Sequence, residues 1–140
     1  MAEVTPVTRI FQDAWSLQTE AMEELRRGKI RDAAEKAWGA TKRATDALIL
    51  ARTGDGVRGR IVPGPPEEPR TTGRTNRELR RLGRLDPLVQ HLVGPYFTRA
   101  GFLHGQCFYD GMCDPVEAVE DDIRGTADYI RVAQELAVVV

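Results

Sequence analysis

Residues 30–50 read IRDAAEKAWGATKRATDALIL, and this stretch decides the fold. Ile30, Ala33, Ala34, Ala37, Trp38, Thr41, Ala44, Thr45 and Leu48 recur three and four positions apart, the period of an amphipathic helix. Small residues dominate the stripe, so a partner helix can approach closely, while Trp38 supplies bulk. Upstream, Thr5 and Pro6 pair a capping residue with a proline at the first helical position. Val7, Ile10, Phe11, Ala14, Leu17, Ala21, Met22 and Leu25 then hold a second stripe that Gly28 ends. So short a link between the two stripes predicts an antiparallel helical hairpin.

Downstream the pattern breaks. Gly54-Asp55-Gly56, Gly64-Pro65-Pro66 and Pro69 exclude regular helix, which predicts a long loop or insert over 54–74. Thr75-Asn76-Arg77-Glu78 has capping-box spacing and predicts the start of a short helix. Asp86-Pro87 restarts the chain, and Leu88, Leu92, Tyr96, Ala100, Leu103 and Cys107 line the next helix, with a kink expected at Gly94-Pro95. Asp110-Gly111 closes it. Asp114-Pro115 opens a last helix on Val116, Val119, Ile123, Ala127 and Ile130. No strand pattern competes. The expectation is an all-α protein, an antiparallel up-and-down bundle of four long helices plus one short one, forming a single domain over residues 1–140.

The chain has 140 residues and a mass of 15.6 kDa, with 41% hydrophobic and 29% charged residues, which is ordinary globular composition. No apolar run reaches the ~18–20 residues of a membrane helix, and residues 1–20 lack a basic-then-apolar secretion signal. A cytoplasmic protein with no membrane partner is expected, and its two cysteines are expected as free thiols.

Formal net charge is −1, but the charges are segregated. Arg70, Arg74, Arg77, Arg80, Arg81 and Arg84 face the single acid Glu78, whereas the last thirty residues are strongly acidic. Such asymmetry serves either nucleic-acid binding or the pairing of two faces within the fold or across a dimer. On the first reading Arg77, Arg80, Arg81 and Arg84, with Tyr109, are the candidate RNA- or nucleotide-binding residues.

Candidate chemistry is sparse. No Gly-rich phosphate loop, His-Glu-x-x-His helix or Cys-x-x-Cys pair is present, and no cofactor is expected. His104, Cys107 and Cys113 offer three metal-ligand types but lack a fourth nearby, so buried thiols are expected rather than a metal site. The two histidines differ in company. His91 reads as a surface or satisfied-core residue, whereas His104 follows Arg99 by five positions. An arginine can hold a phosphate through its bidentate fork, and a histidine can move a proton near neutrality. Together they form a minimal kit for cleaving RNA without metal: the histidine assists attack by the ribose 2′-hydroxyl and the arginine offsets charge on the phosphorane. On an ideal helix the two positions lie ~140° apart, so either local deformation or a second protomer must complete the pair.

Two stretches resemble the HEPN family (higher eukaryotes and prokaryotes nucleotide-binding). One is Ala34-Glu35-Lys36-Ala37-Trp38-Gly39-Ala40. The other runs from the Arg99-x-x-x-x-His104 motif through Phe108-Tyr109-Asp110-Gly111 to Asp114-Pro115. The resemblance implies a dimerising helical bundle acting as a metal-independent endoribonuclease of toxin–antitoxin type, with Arg99 and His104 as the catalytic pair. It equally admits a non-catalytic module that binds nucleotide, RNA or a partner nucleotidyltransferase antitoxin. The chain departs from the pattern at Ala100, where active members carry Asn, Asp or His, and at Gln106, where members modified by their nucleotidyltransferase carry tyrosine.

Overall fold

A computed structural model describes residues 5–53 and 67–138. The order is α1 (Pro6–Arg26), α2 (Ile30–Arg52), α3 (Thr72–Leu85), α4 (Pro87–Arg99) continued by a π-helical segment (Ala100–Tyr109), and α5 (Val116–Leu136). The molecule is an all-α bundle, with no strand among the described residues. No helix among them is long and apolar enough to cross a membrane.

Each start and stop has a local cause. The Thr5 side chain accepts from the backbone N–H of Thr8 at 3.1 Å, and Pro6 begins α1. Gly28 ends the hairpin turn at φ +76°, a conformation that costs side chains with a Cβ and costs glycine little. Lys29 then donates its N–H to the Glu24 carbonyl at 2.9 Å, and α2 departs.

Helix α2 packs against every other element of the bundle. Its stripe is buried as the sequence predicts except at the half-buried Ile30, and Ala40 and Ala47 beside it join Ala33, Ala34, Ala37 and Ala44 in being fully buried. Their small size lets larger side chains close in, among them Leu79, Leu103, Ile123 and Ile130. Each such aliphatic side chain contributes about 1.5–3 kcal/mol through removal of its surface from water.

Helix α3 begins at Thr72, not at Thr75. Thr71 is the cap, its hydroxyl accepting from the Arg74 N–H at 3.2 Å. Thr75 is buried and donates its hydroxyl to Asp46 Oδ1 at 2.7 Å, so its side chain ties α3 to α2. Residues 72–74 of the expected insert therefore form the first turn of α3, while residues 54–66 of it lie outside the described residues. Lys42 pairs with Asp46 at 2.9 Å on the other side. Burial is the largest influence on Asp46 and raises its pKa, and the Thr75 and Lys42 contacts offset only part of that.

One residue, Asp86, separates α3 from α4. Its N–H donates to the Leu82 carbonyl at 2.8 Å, and its carboxylate accepts from the Leu88 N–H at 2.9 Å and from Arg52 at 3.0 Å. The two helices then pack closely at Gly83, where an added Cβ would meet the Gln90 Oε1 at 2.5 Å and the Gln90 Cα at 3.4 Å.

Helix α4 runs through Pro95 to Arg99, and the change of geometry comes only after it, at Ala100. The i→i+5 pattern persists to the Asp110 N–H, which donates to the Gly105 carbonyl at 3.1 Å. Gly111, at φ +70°, turns the chain back. That turn places Cys113 beside Cys107, and the two form a disulfide rather than the expected free thiols. Helix α5 starts at Val116, one residue beyond the expected proline, which occupies the capping position instead.

Candidate functional site

His104 projects from the π segment toward α2. Its Nδ1 lies 2.8 and 3.1 Å from the two carboxylate oxygens of Glu35. An ionised carboxylate only accepts, so Nδ1 donates to it, and in the neutral form of the ring the lone pair then lies at Nε2. Nε2 has no hydrogen-bond partner among the described residues. Aromatic rings fix the imidazole plane. Trp38 stacks on it at 5.6 Å and 30°, and Tyr109 meets it edge-on at 4.9 Å and 85°. The ring of Phe108 lies nearly parallel to it at 6.4 Å. The His104 side chain remains 34% exposed and Glu35 29%, which leaves the dyad open to a ligand.

The local frame is held from α2. Arg31 donates through Nε to the Phe108 carbonyl at 2.5 Å and through Nη2 to the Tyr109 carbonyl at 3.0 Å. These bonds satisfy carbonyls at the end of the π segment that have no partner further along a helix. The Cys107–Cys113 bridge closes the same turn from the other side. Because both sulfurs are bonded to each other, neither is available to a metal beside His104.

Arg99 is engaged elsewhere. It is 8% exposed and donates from Nε to the Thr126 hydroxyl at 3.0 Å and from Nη2 to the Asp122 carbonyl at 3.2 Å, both on α5. Nη1 reaches its own helix at the Pro95 carbonyl, at 3.3 Å. Gly125 makes room for it, since a Cβ there would sit 3.1 Å from Nη2. Burial lowers the Arg99 pKa, and Asp122 and Tyr129 counter this in part. Arg99 and His104 thus address different neighbouring helices, and no hydrogen bond or ring contact joins them.

The basic residues of α3 form a separate surface. Arg77, Arg80, Arg81 and Arg84 are exposed, Arg77 and Arg81 share Glu78, and Arg80 lies 4.2 Å over the ring of Phe97. None of them contacts His104. Tyr109 does, and at 67% exposure it also faces solvent. The residue that the sequence reading left outside the site is Glu35. Its signal was present in the Ala34–Ala40 stretch, but its partner lies 69 positions away.

A family model described as the archaeal PaREP1/PaREP8 family matches residues 9–126. The chain belongs to that family. The matched span contains Glu35, Trp38, Arg99, His104 and both cysteines, so the PaREP1/PaREP8 unit includes the whole dyad and its supports. No curated protein and no solved structure matches the chain.

Proposed function

We propose that the protein is a HEPN-type, metal-independent endoribonuclease acting as a homodimer in the cytoplasm, with His104 as its proton-moving group. The observation that carries this reading is the Glu35–His104 hydrogen bond on an open face. A carboxylate bonded to Nδ1 sets the tautomer, aims the ring and stabilises the imidazolium once Nε2 has taken a proton. Applied to RNA, Nε2 removes the proton of a ribose 2′-hydroxyl as that oxygen attacks the neighbouring phosphorus. The P–O5′ bond breaks to leave a 2′,3′-cyclic phosphate, and the imidazolium returns the proton to the departing 5′-oxygen. Lys36, on the wall of the adjoining cavity, offers a cation for phosphate charge by exchanging its exposed partner Glu20, and the exposed arginines of α3 offer a backbone-binding face. In this reading Arg99 positions the π segment against α5.

The engagement of Arg99 by α5 favours a second reading, a non-catalytic module that binds nucleotide, RNA or a nucleotidyltransferase partner. The two are separated by incubating the purified protein with labelled RNA in EDTA beside a His104→Ala control. Cleavage lost in the variant supports the ribonuclease. RNA binding without cleavage in the wild type supports the module. A monomeric mass by light scattering, with and without RNA, removes the homodimer from either reading.

A further inference from the structure

Beside the dyad lies a cavity of about 360 Å³ lined by Glu24, Lys29, Asp32, Glu35, Lys36 and Phe108. Lys29, Asp32 and Glu35 recur every third residue, which places them along one face at the start of α2. Most of the charges here already have partners: Glu35 holds His104, Lys36 pairs with Glu20 at 3.0 Å, and Glu24 lies 3.6 Å from Arg27. Asp32 and Lys29 form no ion pair among the described residues, with each other or with a third group. The wall therefore presents an acceptor-only carboxylate and a donor-only ammonium next to an aromatic ring.

We infer that this cavity is a base-binding subsite that selects guanine, so that the RNA bound at His104 carries a guanosine next to the reacting phosphate; the choice of RNA rests on the ribonuclease reading. Unpaired RNA bases are held by stacking on aromatic side chains and by hydrogen bonds to their Watson–Crick edges. Phe108 supplies the aromatic wall, its ring nearly parallel to His104 at 6.4 Å and with the Arg31 guanidinium 6.0 Å from its centroid, so a base stacks within this aromatic–guanidinium set. Two adjacent N–H donors, N1–H and the N2 amino group, occur on the Watson–Crick edge of guanine alone, and they match the two oxygens of one carboxylate. Guanine O6, next to N1, accepts from an ammonium, the role that falls to Lys29. Adenine and cytosine each set a ring acceptor beside their amino group and would turn a lone pair toward Asp32. Uracil has one donor between two acceptors.

Titration calorimetry of the wild type with GMP, AMP, CMP and UMP tests the subsite without requiring any cleavage. GMP is expected to bind about tenfold more tightly than the other three, the discrimination of one good bidentate contact. Asp32→Asn, an exposed change, should remove most of that preference. Equal affinity for all four nucleotides, or a GMP preference that survives Asp32→Asn, overturns the inference. GMP selectivity in a protein that cleaves no RNA leaves the subsite standing and removes the ribonuclease. Cleavage that depends on His104 but ignores guanosine does the reverse.

Discussion

Glu35 on α2 and His104 on the π segment, 69 positions apart in sequence, are joined by a hydrogen bond of 2.8 Å. The bond leaves one imidazole nitrogen committed and the other free. If that division is what makes His104 a base, Glu35→Gln should lower RNA cleavage by about 10²–10⁴-fold, while RNA affinity changes little. Single-turnover rates alongside filter binding check this. Equal rates in Glu35→Gln and wild type would show that the carboxylate plays no part in proton transfer.

Arg99 gives the opposite expectation. Arg99→Ala removes two bonds into α5 and opens a cavity, so unfolding stability should fall by about 2–4 kcal/mol in urea titrations. An arginine whose role is confined to gripping phosphate would leave the unfolding midpoint where it is. A midpoint unchanged in Arg99→Ala would therefore return it to the reacting pair.

The Cys107–Cys113 bridge spans six positions, so it constrains a short loop. Cys113→Ser should cost about 2 kcal/mol, measured against wild type under oxidising conditions. Adding dithiothreitol should bring the wild type to the variant's stability and leave the variant unaffected. A wild type indifferent to the reductant would show that the bridge contributes nothing to folding.

Asp86 sets a pH dependence. Burial works against its charge, but the N–H groups of Leu88 and Val89 and the Arg52 guanidinium outweigh burial and hold the carboxyl below its ordinary pKa. A carboxylate lowered in this way stabilises the fold above its unfolded pKa of about 4, and that contribution disappears as pH falls toward the folded value. Asp86→Asn keeps an oxygen to cap the Leu88 N–H but replaces the oxygen that accepts from Arg52 with an amide donor, removing the charge and that bond together. The variant should be less stable by about 0.5–1.5 kcal/mol at pH 7, and the gap should close in acid. Chemical denaturation of both proteins from pH 7 to pH 3 measures it.

Two glycines in helices should respond with opposite signs. Gly94→Ala meets nothing within 4 Å and should stabilise α4 by about 0.5–1 kcal/mol through helix propensity. Gly83→Ala brings its Cβ within 2.5 Å of Gln90 Oε1, which can swing away, and within 3.1 Å of the branched Val93 Cγ2, which cannot. It should destabilise by about 1–2 kcal/mol, the Val93 crowding exceeding the same propensity gain. Thermal melts of both variants make the comparison.

The helices were legible because their signals are local. Thr5-Pro6 and Asp86-Pro87 announce two starts, and the stripe of α2 shows which face is buried. The features that escaped depend on distant partners. Thr75 has the spacing of a cap, but its hydroxyl goes to Asp46, 29 residues earlier. Arg99 and His104 share a motif spacing, yet Thr126 and Glu35, on two other helices, decide where each side chain goes. The oxidation state of the cysteines was read from compartment, whereas their meeting depends on the reversal at Gly111.

Helix α2 carries Glu35 near one end and Arg52 at the other, and seventeen residues of helical rise put them about 25 Å apart. Thr53, which caps α2, therefore lies at the pole remote from the dyad. That pole is the place to splice in a fluorophore, an affinity handle or a fused domain. A probe there labels the molecule without crowding the imidazole.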